Sequence, residues 1–263
     1  MKDHWQIPED LKSQFMDVIT DPKQFDNFKR NPAIQMIIEN TDYESGQECL
    51  DEIISKYLYC LLPMPISNVF YKEKIGNPLT LKYIYHLEDS HSIDISPTTL
   101  RYIMHTAQIS EWMGSLDNLV IGEIGAGYGG LCTIIHEYFD PKRYVLFDIP
   151  EVMAFQIKYI KKFNHRIDVI EGGFKIIENE DIVSYNYELD LILAFCSWAE
   201  LDKETKLYYL ETVIKKAKMG VIAINYDFEE NLKLISHAMP DKIIETPIPG
   251  FIVTFKPEIN EGQ

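Results

Sequence analysis

After residue 115, short apolar runs typical of buried strands alternate with amphipathic helical patterns, as they do in βαβ units. The predicted strands are Leu119–Ile124, Tyr144–Phe147, Ile167–Ile170, Leu189–Phe195, Gly220–Asn225, Lys242–Thr246 and Phe251–Phe255. Only residues 247–250 join the last two, which is too short for a parallel crossover, so this pair is expected to form an antiparallel hairpin. The sequence therefore predicts an α/β fold with a seven-stranded, mostly parallel sheet and an antiparallel last strand.

The chain before residue 115 is dominated by helical and loop patterns. An amphipathic helix is predicted over 46–62, and a second helix is expected to begin after a capping side chain at Ser96. The apolar face of the first helix consists of Leu50, Ile53, Ile54, Tyr57, Leu58 and Leu61. Between the two helices, residues 63–95 lack periodicity, and we expect an ordered but irregular segment there.

These patterns divide the chain into two parts. Residues 1–115 form a predicted helical N-terminal region that we expect to act as a lid, as an acceptor-binding element or as a homodimer contact. Residues 116–263 form the predicted cofactor-binding sheet domain.

The formal net charge of −16 argues against an extended nucleic-acid or anionic-membrane surface, because such surfaces need clustered Lys and Arg. No apolar run reaches the length of a membrane-spanning helix, and the first residues lack the apolar core of a signal peptide. We therefore expect a cytoplasmic protein whose partner is a small-molecule acceptor. Within residues 71–101 basic and acidic side chains balance, so an anionic acceptor is compatible with the acidic chain.

A glycine-rich segment follows the first strand of the predicted sheet and precedes a helix. Gly125, Gly127 and Gly130 satisfy the spacing G-x-G-x-x-G, and Asp148 ends the next strand, 21 residues after Gly127. Glycines at such a turn let the backbone approach a ligand, and the carboxylate suits ribose hydroxyls. Taken alone, the pattern fits a dinucleotide or another nucleoside cofactor.

Glu123 favours a cationic cofactor over NAD. It lies two residues before Gly125, where a carboxylate gains nothing from facing a pyrophosphate. S-adenosylmethionine (SAM) carries a sulfonium and an ammonium group and no phosphate, so it suits an acidic strand end. The alternative is that Glu123 is a solvated charge and that the glycines only shape a turn.

At these residues the chain resembles class I SAM-dependent methyltransferases, and more closely the sugar O-methyltransferase family of bacterial surface-polysaccharide (capsule) clusters. The strings that carry the resemblance are Gly76–Pro78, Ile95–Ile103, Glu123–Gly130, Asp148–Val152 and Ser197–Leu201. The resemblance implies a Rossmann-like methyltransferase fold and O-methylation of a sugar, sugar phosphate or nucleotide sugar, with S-adenosylhomocysteine (SAH) as the second product.

Ligands of a doubly wound sheet lie beyond the carboxyl ends of its strands, which selects the residues that can meet the cofactor. The predicted cofactor-binding residues are Glu123, Gly125, Gly127, Tyr128, Asp148, Ile149, Gly173, Phe174, Phe195 and Ser197. The adenine is expected near Ile149 and Phe174, although Phe174 also fits plain core packing.

Methyl transfer to a hydroxyl needs a positioned base, and the candidates are Glu200 and His91. Glu200 follows the fourth strand of the predicted sheet; alternatively, it is a charge at the N-terminus of the helix that starts near Lys203. Acceptor contacts are predicted for Arg101, whose fork can clamp a carboxylate or phosphate, and for Tyr83 and His86. Glu200 and Asp202 are close enough in sequence to contribute to a metal site, but no ligand spacing supports one, so we predict metal-free catalysis.

Three alternative functions remain open at this stage. The acceptor oxygen can belong to a phosphate or phosphoramidate of a capsule precursor, which is already ionised and needs no base. An NAD-dependent oxidoreductase can use the same glycine-rich turn. A non-catalytic, methyltransferase-like protein can bind a partner through its N-terminal region.

Overall fold

The computed structural model describes residues 9–61, 73–87, 89–163, 169–171, 188–195, 197–248 and 250–257. Its strands are β1 (Leu81–His86), β2 (Ser90–Ile95), β3 (Val120–Ile124), β4 (Arg143–Phe147), β5 (Val169–Glu171), β6 (Leu191–Phe195), β7 (Met219–Ala223), β8 (Lys242–Ile248) and β9 (Ile252–Pro257). Its α-helices are α1 (Glu9–Thr20), α2 (Pro22–Phe25), α3 (Pro32–Ile37), α4 (Tyr43–Glu52), α5 (Pro97–Met113), α6 (Gly130–Tyr138), α7 (Pro150–Ile160), α8 (Lys203–Thr212) and α9 (Phe228–Ala238).

The large sheet has the strand order β5-β4-β3-β6-β7-β9-β8. All neighbours pair in parallel except β9, which runs antiparallel to both β7 and β8. This confirms the predicted Rossmann-like α/β fold with seven strands and an antiparallel last strand. Chain order runs outward from β3 through β4 to β5 and then resumes on the other side of β3 at β6. The carboxyl ends of β3 and β6 therefore flank the topological switch point, where ligands of such sheets bind.

Alternating side chains of the central strands separate two apolar layers. Ile121 and Tyr144 face the layer of α6 and α7, whereas Val145 and Ile192 face the layer of α8 and α9. Because successive strand side chains point to opposite faces, Glu123 lies on the same face as Ile121. A carboxylate near the end of β3 is thus directed under α6 and α7.

The N-terminal helices extend one of these layers instead of forming a separate core. Phe15, Phe25 and Phe28 are buried in the same cluster as α6, α7 and the sheet. The ring of Phe28 lies 4.8 Å from that of Phe155 on α7 in an edge-to-face arrangement. Residues 9–40 therefore cover the end of the sheet at which β3 leads into α6.

A buried cation lies within this N-terminal layer. Lys29 is 1% exposed, and its ammonium group is bonded to Glu73 and lies 3.8 Å from Glu39. The same group lies 4.5 Å from the centre of the Tyr128 ring, close enough for a cation–π contact. Burial raises the pKa of the Glu73 carboxyl, and the nearby Lys29 charge opposes that increase. This Lys29 cluster (Lys29, Glu39, Glu73 and Tyr128) joins three separate parts of the chain.

Residues 81–95 differ from the irregular segment that the sequence predicts. They form the antiparallel hairpin β1–β2, in which Tyr83 pairs with Ile93 and Tyr85 with His91. Tyr83, Tyr85 and Ile93 are buried and their strand neighbours are exposed, so the hairpin is an amphipathic ribbon laid on α4 and α5. The prediction was wrong because this alternation is short and its outward positions carry mixed polar and apolar residues.

Two predicted helices differ in detail. The helix expected over 46–62 begins at Tyr43 as α4. It then widens into a π-helical turn at Ile53–Tyr57 and tightens into a 3₁₀ turn at Leu58–Leu61. Ser96 does precede α5, but its side chain makes no capping hydrogen bond. In the part of the chain that the structure describes, no helix has the length and apolarity needed to cross a bilayer.

Replacing the buried cation tests how far the N-terminal layer depends on it. Lys29→Met leaves two carboxylates without their counter-charge, so the free energy of unfolding is expected to fall by about 3–5 kcal/mol. Urea unfolding measures the change. Lys23→Met, at an exposed position on α2, is the matched control and is expected to change it by less than about 0.5 kcal/mol. Equal stability of the two variants would contradict the structural role of Lys29.

Candidate functional site

The glycine-rich turn joins β3 to α6 at the switch point. Gly125, Gly127 and Gly129 have φ angles of 68°, 58° and 91°, a region that side chains disfavour. The turn is held by the Gly125 N–H, which donates to the Phe147 carbonyl at 2.9 Å. A Cβ at Gly125 would lie 2.3 Å from the Cβ of Ser197. Gly125 therefore lets the ends of β3 and β6 come into direct contact.

Asp148 lies at the carboxyl end of β4, beside this turn. Its Oδ1 accepts a hydrogen bond from the Ile149 backbone N–H at 2.9 Å, and its Oδ2 accepts one from the Gln156 amide at 2.8 Å. Burial raises the pKa of Asp148 to about 7, against the lowering effect of the hydrogen bonds from Ile149, Gln156 and the Ala126 backbone. The residue retains partial solvent access, so its carboxyl group can meet a ligand.

Glu123 lies deeper in the protein than a strand-end side chain that contacts a cofactor directly. It is 3% exposed, and its Oε2 accepts a hydrogen bond from the Tyr144 hydroxyl at 2.8 Å. Burial raises the pKa of Glu123 to about 7; the Tyr144 hydrogen bond opposes this effect and the Asp148 charge adds to it. The alternative of a solvated charge is therefore wrong, because Glu123 is a buried carboxyl beneath the turn. Its predicted role in binding the cofactor stays a prediction.

The end of β6 brings two more predicted residues, Phe195 and Ser197, to the switch point. The Ser197 hydroxyl donates to the Ile124 carbonyl at 2.5 Å, which fastens the two strand ends. The half-buried Phe195 packs against the His105 ring of α5, with centroids 4.5 Å apart. This contact places His105 next to a predicted cofactor-binding residue.

Glu200 ends the 3₁₀ turn Trp198–Glu200 that follows β6. It is half-buried, and burial raises its pKa. Asp202, not Glu200, caps α8 by accepting from the Thr205 N–H at 2.8 Å. The alternative reading of Glu200 as a helix-terminal charge thus loses its support. Within the described residues, no group of three or more His, Cys, Asp or Glu side chains is arranged to hold a metal ion.

Tyr128 and Arg101 make protein contacts instead of pointing toward open space. The Tyr128 hydroxyl donates to Glu39 at 2.6 Å. The Arg101 fork donates to the Asn40 side chain at 2.9 Å and to the Ile38 carbonyl at 3.0 Å. Both residues therefore fasten the segment 38–40 over the turn, and the predicted anion clamp of Arg101 is occupied by this segment. For Tyr128, contact with the cofactor stays a prediction.

Two of the three predicted residues of the hairpin stack on other rings of the N-terminal region. Tyr83 is fully buried and stacks on Tyr43 at 4.9 Å, so its predicted acceptor contact is replaced by core packing. His86 is exposed at the tip end of β1. His91 is exposed on β2 and stacks on the Tyr85 ring at 5.3 Å. Both histidines lie in the segment that the sequence predicts to be irregular, and the structure has a regular hairpin there.

Two predictions cannot be compared with the structure, and one residue was missed. Gly173 and Phe174 lie outside the described residues. Gln156 was missed, although it is fully buried and bonded to Asp148. A signal for it exists, because a glutamine stands on the apolar face of α7, one turn from both Val152 and Ile160.

Comparisons with known proteins find similarity at the level of structure. No family model matches the chain, and neither does any curated protein. A ribosomal protein L11 methylase from Lactobacillus delbrueckii subsp. bulgaricus superimposes with a TM-score of 0.44 and 14% identity, over 61% of this chain and 80% of its own. The M. capricolum TrmK protein, solved with SAH, gives 0.39 and 16% over 59% and 68%. A SAM-dependent methyltransferase from Aquifex aeolicus gives 0.41 and 14% over 57% and 87%. At these values the function has to be argued from the residues of the site.

The buried carboxyl of Glu123 makes the stability of the fold depend on pH. Its pKa is raised from 4.5 to about 7, so it stabilises the fold at low pH, and this contribution is lost as pH rises through 7. Glu123→Gln keeps a partner for Tyr144 and removes the ionisation. The free energy of unfolding of the wild type is expected to fall between pH 5 and pH 8 by up to about 3 kcal/mol more than that of the variant.

Chemical unfolding at the two pH values measures this difference. Glu229→Gln, at an exposed position of α9, is the control and is expected to follow the wild type. An identical pH dependence in Glu123→Gln and the wild type would mean that Glu123 is ionised throughout this range.

Proposed function

We propose that this chain is a SAM-dependent O-methyltransferase. The observation that carries the proposal is the position of Asp148, a partly accessible carboxyl held beside the glycine-rich turn at the switch point. A carboxylate held by donors on one side accepts the two hydroxyls of a ribose on the other. The carboxylate beside the glycine-rich turn thus fits a nucleoside cofactor.

The electrostatics of the same site favour a cationic cofactor. Glu123 lies buried under the turn, and Asp148 lies beside it. A pyrophosphate placed there would face two carboxyl groups, whereas a sulfonium or ammonium group would be attracted by them. The geometry therefore supports SAM over NAD, and it makes the oxidoreductase alternative the weaker one.

Each element at the switch point has a defined task in methyl transfer. When bound, SAM supplies a methyl group attached to a positively charged sulfur. Asp148 holds the ribose, and the backbone of Gly125–Gly127 accommodates the amino-acid portion. Glu200 is the base in this proposal, and it takes the proton of the acceptor hydroxyl; its raised pKa suits that task. The segment 38–40, fixed by Arg101 and Tyr128, excludes water from above the turn.

The acceptor proposed here is a sugar, sugar phosphate or nucleotide sugar that serves as a precursor of a bacterial surface polysaccharide. Support comes from the resemblance in the strings at Ile95–Ile103 and Asp148–Val152. The first string forms the end of β2 and the start of α5, and the second starts α7. Both therefore belong to elements that lead into the site or contact it.

Binding of SAH tests the cofactor assignment. The ionised form of Asp148 accepts the ribose hydroxyls, and the pKa of Asp148 is about 7. The affinity for SAH is therefore expected to rise by about tenfold between pH 6 and pH 8. Asp148→Asn is expected to weaken binding at pH 8 by about 10–100-fold and to abolish this pH dependence. Isothermal titration calorimetry with SAH, SAM and NAD measures both effects.

The control for this experiment is Asp241→Asn, at an exposed position between α9 and β8, which is expected to bind SAH as the wild type does. Absence of SAM and SAH binding at millimolar concentration would overturn the proposed function. Tighter binding of NAD than of SAH would favour the oxidoreductase.

The role of Glu200 is tested with methyl-labelled SAM and a pool of nucleotide sugars and capsule precursors. Glu200→Gln is expected to lower the turnover number by about 10²–10⁴-fold and to leave the SAH dissociation constant unchanged, because only proton removal is lost. Glu204→Gln, at an exposed position in the first turn of α8, is the matched control. Undiminished turnover in Glu200→Gln would point to an acceptor oxygen that is already ionised, as in a phosphate or phosphoramidate.

A further inference from the structure

Gln156 makes contacts that neither core packing nor helix formation requires. It is fully buried in the middle of α7, a helix whose other buried positions are apolar or aromatic. Its amide nitrogen donates to the Gly127 carbonyl at 2.9 Å and to Asp148 Oδ2 at 2.8 Å. One side chain thus connects the glycine-rich turn after β3 with the carboxyl group after β4.

The chemistry of the two acceptors fixes the orientation of this amide. A carbonyl oxygen and a carboxylate oxygen only accept hydrogen bonds, so the nitrogen of Gln156 has to face both of them. Among the described residues no group is hydrogen-bonded to its Oε1. The buried amide is therefore kept at this position by its two donor contacts.

The contacts of Gln156 also determine how the Asp148 carboxylate is oriented. The Ile149 backbone N–H binds Oδ1, and the Gln156 amide binds Oδ2. With one donor on each oxygen, rotation of the carboxylate about its terminal bond is restricted. Its remaining lone pairs are presented in a constant direction, which is what simultaneous binding of two neighbouring hydroxyl groups requires.

We propose that Gln156 is a positioning residue, which orients the Asp148 carboxylate for a vicinal diol and ties it to the glycine-rich turn. This inference rests on the proposed function, because the diol is the ribose of SAM. Gln156 would then determine cofactor affinity without touching the cofactor, because it is buried beneath the residues expected to contact it. Gln156 itself is covered by the protein and acts through Asp148 and Gly127.

Two variants remove the donor in different ways. Gln156→Met keeps the approximate volume without an amide, and Gln156→Glu keeps the shape but is unable to donate when it is ionised at pH 8. Both are expected to raise the SAH dissociation constant at pH 8 by about 10–100-fold, the range for a hydrogen bond to a charged group. The matched control is Gln108→Met, a buried glutamine on α5 whose amide faces His105 and Glu52. It is expected to bind SAH within twofold of the wild type.

Two further measurements separate positioning from a general structural effect. An SAH analogue that lacks both ribose hydroxyls is expected to bind the wild type and Gln156→Met equally, because Asp148 then has no diol to hold. The pH midpoint of SAH binding is expected to shift upward in Gln156→Met, since the Gln156 hydrogen bond lowers the pKa of Asp148. Among the described residues, Glu123 on β3 and Tyr209 on α8 interact electrostatically with Asp148, and neither is altered in these variants.

The outcomes distinguish this inference from the function on which it rests. Wild-type protein that binds neither SAM nor SAH would overturn both. Wild-type binding together with SAH affinities within twofold in both Gln156 variants would overturn only the positioning role. An equal loss of affinity for SAH and for the analogue without hydroxyls would also overturn it, because the loss would then be unrelated to the diol.

Discussion

The contact between the Lys29 ammonium group and the Tyr128 ring is the interaction on which the site most depends. Tyr128 belongs to the glycine-rich turn, and Lys29 belongs to the N-terminal layer, so their 4.5 Å contact joins the two. Glu39 reinforces it by accepting from the Tyr128 hydroxyl at 2.6 Å while lying 3.8 Å from Lys29. The turn is therefore contacted from outside by residues 29–39, and the division into two regions that the sequence predicts crosses a continuous core.

Local sequence patterns were sufficient to predict the strands of the central sheet. Strands with strong alternation or uninterrupted apolar runs, such as β4 and β6, were placed within two residues, and the four-residue link before β9 predicted its direction. The turn and Asp148 followed from glycine spacing, because positive φ angles are a local property of the chain. The β1–β2 hairpin was missed since Tyr83 and Tyr85 carry an alternation of only a few residues within a polar stretch.

The hydrogen-bond and ion-pair partners of the site residues could not be predicted from the sequence, for a physical reason. Glu39 and Tyr128 are 89 residues apart, and Lys29 and Glu73 are 44 apart. In a chain with 41 acidic residues, nothing local marks which carboxylate will meet which donor. Arg101 illustrates the same point, because its position was predicted to favour an anionic ligand and its fork instead binds a backbone carbonyl. Side-chain type limits the chemistry, and the long-range packing selects the partner.

The absent side chain of Gly125 has a mechanical consequence. Ser197 lies so near that a Cβ at Gly125 would be 2.3 Å away, and its hydroxyl is bonded to the Ile124 carbonyl. The carboxyl ends of β3 and β6 are thus in van der Waals contact. If the proposed function is right, a shift of the Ser197–Glu200 turn toward Gly125 would press on the glycine-rich turn, because a bulkier residue than glycine has no room there. Gly125 would then couple the acceptor-binding turn to the cofactor-binding turn.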